Sequence, residues 1–356
     1  MKSQHRSILS LFKFRKVIIP VIIGFGVASY LLYRNFDKET FLQINWVWQS
    51  YFWIFLSIIL MGVRDISYMY RIRLLTDKEL SWRKSFDVIM LWEFASSVTP
   101  SVVGGSVVAL FIINKEGINM GKSTAIVLIT SLLDEMFYII MVPLVFIFVG
   151  TQNLFFTNAE FALFNTNFGI KGIFLIGYLF ILVLTSIIVY GVFINPRGFK
   201  WILLKIFKLP ILRKWREKAG KTGDEIIVTS KEMKGKSFVF WMKAYFATLF
   251  SWTARFWVVN CIILAFISVN DHFLIYARQL IMWVILLISP TPGSSGVAEF
   301  IFSDFLGEFI LPGLSPALAI IWRIISYYPY LFIGAIILPY WIRRVYFKRK
   351  LIRFKS

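Results

Sequence analysis

The chain is 356 residues long, 58% hydrophobic and 16% charged, with a mean hydropathy of +0.72, which excludes an ordinary soluble domain and points to a polytopic membrane protein. Its net charge of +20 would suggest nucleic acid in a soluble protein, but here the bases flank apolar runs, which fits attachment to anionic lipid and no nucleic-acid role. The single cysteine, Cys261, excludes an internal disulfide and a cysteine-built metal site; no metal or cofactor is expected.

Residues 1–16 are basic, with Lys2, Arg6, Lys13, Arg15 and Lys16, and precede an apolar run at 17–33 that reads as a retained first span. Residues 50–70 are long enough to cross about 30 Å of hydrocarbon. The bases that follow, Arg71, Arg73, Lys78, Arg83 and Lys84, mark the cytoplasmic side. Residues 86–96 are too short to span and end in Ser-Val-Thr-Pro-Ser-Val-Val-Gly at 97–104; a second short run, 107–113, leads to Lys115 and Lys122. Two short arms around a proline break predict a re-entrant hairpin at 86–113 that returns to the side it came from. Residues 117–124, Gly-Ile-Asn-Met-Gly-Lys-Ser-Thr, imitate a phosphate-binding loop but have three residues between the glycines instead of four, and no preceding strand.

Spans at 124–150 and 173–194 enclose a nearly uncharged loop at 151–169, expected outside. Residues 197–236 hold twelve Lys/Arg against four Asp/Glu, which places them in the cytoplasm. Trp201, Ile202, Leu204, Ile206 and Phe207 within them favour a helix lying on the membrane surface. A span at 238–269 leads to Asn270, Asp271 and His272. The second break, Ser-Pro-Thr-Pro-Gly-Ser-Ser-Gly at 289–296, lies between short runs at 280–288 and 300–310. A last span at 317–338 ends in a basic cytoplasmic tail.

The expected fold is an all-α polytopic membrane protein with about six full spans and two re-entrant half-helix hairpins in an inverted-repeat arrangement. It forms one membrane domain, 1–356. The first half is 1–194, with hairpin 86–113; the basic segment is 195–236; the second half is 237–356, with hairpin 275–310. Both breaks fit Ser-x-Thr-Pro-x-x-x-Gly. Paired interruptions in two chain halves point to a transporter substrate site near the bilayer midplane.

Arg64, Asp65, Glu93, Asp134, Glu135, Arg255, Glu299 and Arg323 lie inside apolar segments. Each costs at least about 2.5–3.5 kcal/mol facing lipid at a helix centre, so most should face the bundle interior or a wet cavity. Adjacent residues such as Arg64 and Asp65 point about 100° apart on a helix, so their partners are expected from other spans. The alternative for any one of them is an interhelical ion pair that fixes packing. Arg64, Arg255 and Arg323 suit phosphate, because guanidinium is permanently charged and bidentate. Thr99, Pro100, Gly104 and Gly105 at the first break, with Thr291, Pro292, Gly293 and Gly296 at the second, would open half-helices whose free N–H groups favour an anion. Asp134 and Glu135 read as a proton or ion relay. With only His5 and His272 present, and no HExxH or GxSxG motif, no catalytic residue is assigned.

Thr99-Pro100-x-x-x-Gly104-Gly105, Leu132-Leu133-Asp134-Glu135 and Pro292-Gly293-x-x-Gly296-Val297-x-Glu299 resemble the lysylphosphatidylglycerol synthase transmembrane region, a flippase-like family that includes the membrane half of the bacterial multiple peptide resistance factor. The resemblance runs over nearly the whole chain; Ser101, Ser106 and Ala109 depart from it. It implies movement of aminoacylated or otherwise charged lipids, or lipid-linked intermediates, across a bacterial cytoplasmic membrane, with both termini cytoplasmic and membrane lipids as partners. Full-length synthases add a soluble aminoacyl-transfer domain after the membrane part. Here only a short basic tail follows the last span, so transport and no enzyme activity are expected. The alternatives are a membrane-embedded transferase acting on lipid-linked substrates and a non-transporting scaffold.

Overall fold

A computed structural model describes residues 42, 46–99, 101–155, 160–163, 166–209, 213–289, 291–294 and 296–347. The expected first span at 17–33, the basic residues 1–16, Pro100 and the basic tail from Lys348 onward lie outside the described residues. Twelve helices of ten or more residues carry the described fold: α1 Trp48–Leu75, α2 Trp82–Val98, α3 Ser101–Lys115, α4 Met120–Val149, α5 Ile170–Ile188, α6 Pro196–Ile206, α7 Arg216–Lys234, α8 Phe238–Leu264, α9 His272–Leu287, α10 Val297–Leu306, α11 Ser315–Ser326 and α12 Tyr328–Ile342. Five stretches are long and apolar enough to cross a membrane: Trp48–Leu75, Met120–Val149, Ile170–Ile194, Phe238–Leu264 and Ser315–Val345. They correspond to five of the six expected spans.

α1 and α8 pack along one another in the most extensive helix pair of the described fold. Small buried side chains allow their close approach, as membrane packing requires in the absence of a hydrophobic drive between helices. Ser50 Oγ donates to the Ala265 carbonyl at 2.6 Å at one end, and Ser251 Oγ donates to the Arg64 carbonyl at 3.3 Å midway. α2 lies against α1, α3 and α12; α4 lies against α3, α5, α7, α8 and α9.

Several expectations need correction. The arms of the first hairpin are 17 and 15 residues long, about 26 and 22 Å at 1.5 Å per residue. They exceed half-length because their polar ends, capped by Ser81 and closing at Lys115, are helical too. α9 is 16 residues long, starting at His272. The expected last span is two helices. Tyr327 breaks it at φ −129, ψ −58, because Pro329 has no N–H to continue the helical ladder. The fold is all-helical in class, as expected, and adds one short antiparallel hairpin, Glu160–Leu163 with Thr166–Gly169, within the loop at 151–169. α5 runs on as a π-helix, Val189–Ile194. Within the basic segment, α6 buries none of its residues and exposes Trp201, Ile202 and Ile206, whereas α7 docks on α4, where Glu225 Oε2 accepts from the Gly121 N–H at 2.6 Å.

Candidate functional site

Three residues of α1 at helical spacing, Arg64, Tyr68 and Arg71, lie on one face and form a buried column. The Tyr68 ring lies between the two guanidinium groups, 4.5 Å from that of Arg64 and 4.6 Å from that of Arg71. Arg64 donates to Asp65 Oδ1 at 2.8 Å and to Glu93 Oε1 at 2.6 Å. Tyr330 of α12 donates to the same Asp65 oxygen at 2.9 Å, and its ring lies 5.1 Å from the guanidinium. The pairing of Arg64 with its neighbour overturns the expectation that adjacent residues cannot meet. The backbone directions do diverge, but the long arginine side chain curls back far enough to reach the carboxylate.

One turn pair further along, Arg71 grips Asp134 of α4 with both terminal nitrogens, at 2.6 and 3.0 Å, and donates to Thr248 Oγ1 at 2.8 Å. The Trp252 indole N–H donates to Asp134 at 2.9 Å. Such a planar, two-pronged pair is the strongest arrangement available to arginine. Arg71 is absent from the sequence-derived site because it reads as the first base of a cytoplasmic flank. Its position seven residues after Arg64, on the same helical face, is the signal that would have found it. Tyr68, Tyr330, Thr248 and Trp252 were missed because such residues ordinarily read as core.

Arg255 differs from both. Among the described residues it forms no salt bridge, and its guanidinium lies 4.1 Å from the Trp283 ring and 5.5 Å from that of Trp252. Its Nε is buried without a partner.

Around the second break, Arg323 donates through Nε to Glu299 Oε1 at 2.8 Å and through Nη2 to the Gly293 carbonyl at 2.7 Å. Glu299 Oε2 accepts from the Gly296 N–H at 2.6 Å. The start of α10 is therefore met by its own carboxylate, which corrects the expectation of a free N–H awaiting an anion there. Thr291 Oγ1 lies 3.1 Å from Ser289 Oγ, and the turn Pro292–Ser294 packs on α2. Gly293 has φ +55, and a Cβ there would lie 2.3 Å from the Tyr327 ring; both facts exclude a side chain. The Tyr327 hydroxyl donates to the Ser97 carbonyl at 2.9 Å, so one tyrosine links the two breaks. At the first break Thr99 is extended, with its hydroxyl donating to the Ala95 carbonyl at 2.7 Å, as the residue before a proline should be. Gly105 lets α3 close on α2: a Cβ would lie 1.9 Å from Ser96 Oγ, and Gly104 faces Thr99 in the same way.

The sequence reading of Asp134 and Glu135 as a pair does not hold, because the two carboxylates leave the helix in different directions. Asp134 faces Arg71, while Glu135 accepts from Thr185 of α5 at 2.7 Å. Arg64 and Arg323 are each held by carboxylates, and two cavities of about 460 and 370 Å³ are walled by other residues, among them Glu79, Lys122 and Glu225 in the first and Tyr70, Trp82 and Lys243 in the second. What is accessible along the column is acidic. The side chains of Arg64 and Arg71 are 1% and 4% exposed, whereas those of Asp65, Glu93 and Asp134 are 20%, 21% and 24% exposed.

The sequence model of the family described as "Lysylphosphatidylglycerol synthase TM region" matches residues 17–334. The chain is 28% identical over 272 residues to a "UPF0104 membrane protein" of Archaeoglobus fulgidus, covering 73% of this chain and 77% of that protein. No solved structure matches.

Proposed function

Because the chain belongs to the lysylphosphatidylglycerol synthase TM-region family, we propose that it is a lipid transporter of the cytoplasmic membrane that moves a charged lipid between leaflets. In this reading the two breaks enter from opposite faces and both termini are cytoplasmic.

The observation that carries the proposal is the acidic edge of an otherwise buried charge column. Charges inside a membrane bundle are costly even when paired and are retained where an ion pair or a polar pathway needs them. Here the guanidinium groups are inside and half-buried carboxylates face outward from α1, α2 and α4. An approaching phosphate would meet Asp65 and Glu93 before any arginine, whereas an amine would meet matched charge. The lipid named in the family description carries a lysyl group. The substrate class we favour is therefore an aminoacylated or amine-bearing lipid, with the arginines holding the carboxylates in place.

The test is translocation in proteoliposomes, following an aminoacylated phospholipid with a leaflet-restricted amine reagent. Wild type should expose the inner-leaflet pool, and Glu93→Gln should slow this while keeping its melting temperature near that of wild type. No translocation of any charged lipid by folded wild-type protein would refute the proposal.

A further inference from the structure

Glu135 stands apart from the column and has no role in it. It is the sixteenth residue of the 30-residue α4, about 23 Å from the helix start at 1.5 Å per residue, and so falls at the middle of a span. It is buried, forms no salt bridge among the described residues, and takes a hydrogen bond from the Thr185 hydroxyl. Its neighbour in the chain, Asp134, points elsewhere and is taken by Arg71.

Among the described residues, the helices packed on α4 supply no cation to it. α5 carries Lys171 fourteen positions from Thr185, with Tyr178 donating to the Ile139 carbonyl. α8 carries Lys243, Tyr245 and Arg255, the last stacked on Trp283. On α9, Arg278 pairs with Glu308 and Tyr276 packs on Phe256. Arg71 of α1 is taken by Asp134, Lys115 ends α3, and the charges of α7 meet α4 at Gly121, fourteen residues away. Nor is this a metal site: one carboxylate and one hydroxyl fall far short of the six to eight oxygens a hard cation such as calcium takes.

A carboxylate in that setting carries a large desolvation cost that the neutral acid escapes. The structure also provides an element able to respond. Four residues after Thr185, α5 passes into the π-helix Val189–Ile194, a geometry that recurs at functional positions and loosens the regular ladder. One face of α5 is apolar and exposed, including Leu179, Val183 and Ile187.

We propose that Glu135 is a proton-binding site that couples lipid movement to a proton gradient. With the proton on, Glu135 and Thr185 hold α5 against α4. Loss of the proton to water leaves a carboxylate that draws in water and releases α5, and uptake of a proton from water reverses the step. The coupling rests on the transport reading; the proton site does not.

Both parts are testable on the full chain in lipid. Infrared spectroscopy across a pH series should show a protonated-carboxyl band in wild type that Glu135→Gln removes. In proteoliposomes, an imposed proton gradient should speed translocation of the aminoacylated lipid at least about fivefold, the lower end of ordinary coupling between sites. A sodium gradient should not, and Glu135→Gln should not respond. A band unchanged by the substitution overturns the site, and equal response to sodium or to no gradient overturns the coupling. A wild-type band without any lipid movement leaves the proton site standing and removes the transport reading instead. If Glu135→Gln fails to accumulate, Thr185→Val serves: it should shift the band by removing the hydroxyl, and an unmoved band counts against the site.

Discussion

Replacing Arg64 and Arg255 by glutamine separates a structural arginine from a free one. Arg64 is buried and holds two carboxylates at 2.8 and 2.6 Å. Glutamine leaves Asp65 and Glu93 without the cation that pairs with them. Stranding a buried charge in this way costs roughly 3–5 kcal/mol, a large part of a total stability of about 5–15 kcal/mol. At about 2–4 °C per kcal/mol, the melting temperature in detergent should fall on the order of 6–20 °C. Arg255 forms no ion pair among the described residues, so the same substitution loses mainly its stacking on Trp283, worth about 0.5–2 kcal/mol. Thermal melts of both purified variants, with expression measured in parallel, test the contrast. Equal destabilisation by the two would refute the reasoning, since it would mean that Arg255 is tied down as firmly as Arg64.

Arg71→Met should cost a similar amount by stranding Asp134, and adding Asp134→Leu should recover most of it, because an apolar pair of similar volume replaces a buried ion pair at little cost; thermal melts of the single and double variants show this. Gly105→Val should destabilise by about 1–3 kcal/mol or more, since its Cβ would lie 1.9 Å from Ser96 Oγ; co-replacement with Ser96→Gly should return part of the loss. Glu299→Gln should keep an acceptor for the Gly296 N–H but lose the Arg323 pair, and limited proteolysis should then cut near 289–296 faster than in wild type. A cysteine at Trp215, in a Cys261→Ser background, should react with an impermeant reagent only from the cytoplasmic side; labelling from outside would invert the assigned topology.

The long apolar spans were legible because length and hydropathy alone determine them, and the two Thr-Pro breaks because proline and glycine act locally. Partnership was not legible. Arg71 follows an apolar run and precedes Arg73, so charge bias assigned it to a loop, whereas in the fold α1 continues to Leu75 and carries it inward. Arg64 and Asp65 were separated by an argument about backbone direction that ignored side-chain length. The tyrosines at 68, 327 and 330 gave no signal, because a phenol that joins charges has the same sequence neighbourhood as one that fills a core. The kink at Tyr327 had a signal, Pro329, that the hydropathy of the run concealed. The pairing of Glu135 with Thr185 depends on how α4 and α5 face each other, which spacing within either helix does not encode.

The central claim is that an acidic edge on this column reads an amine-bearing lipid headgroup. The most direct measurement compares, in the same proteoliposomes, translocation of an aminoacylated phospholipid with that of the same lipid N-acetylated on its amines. Acetylation removes the positive charge and leaves the phosphate and the acyl chains in place. The account predicts that the free-amine lipid moves and the acetylated one is largely retained; equal movement of both, or preference for the acetylated lipid, would contradict it.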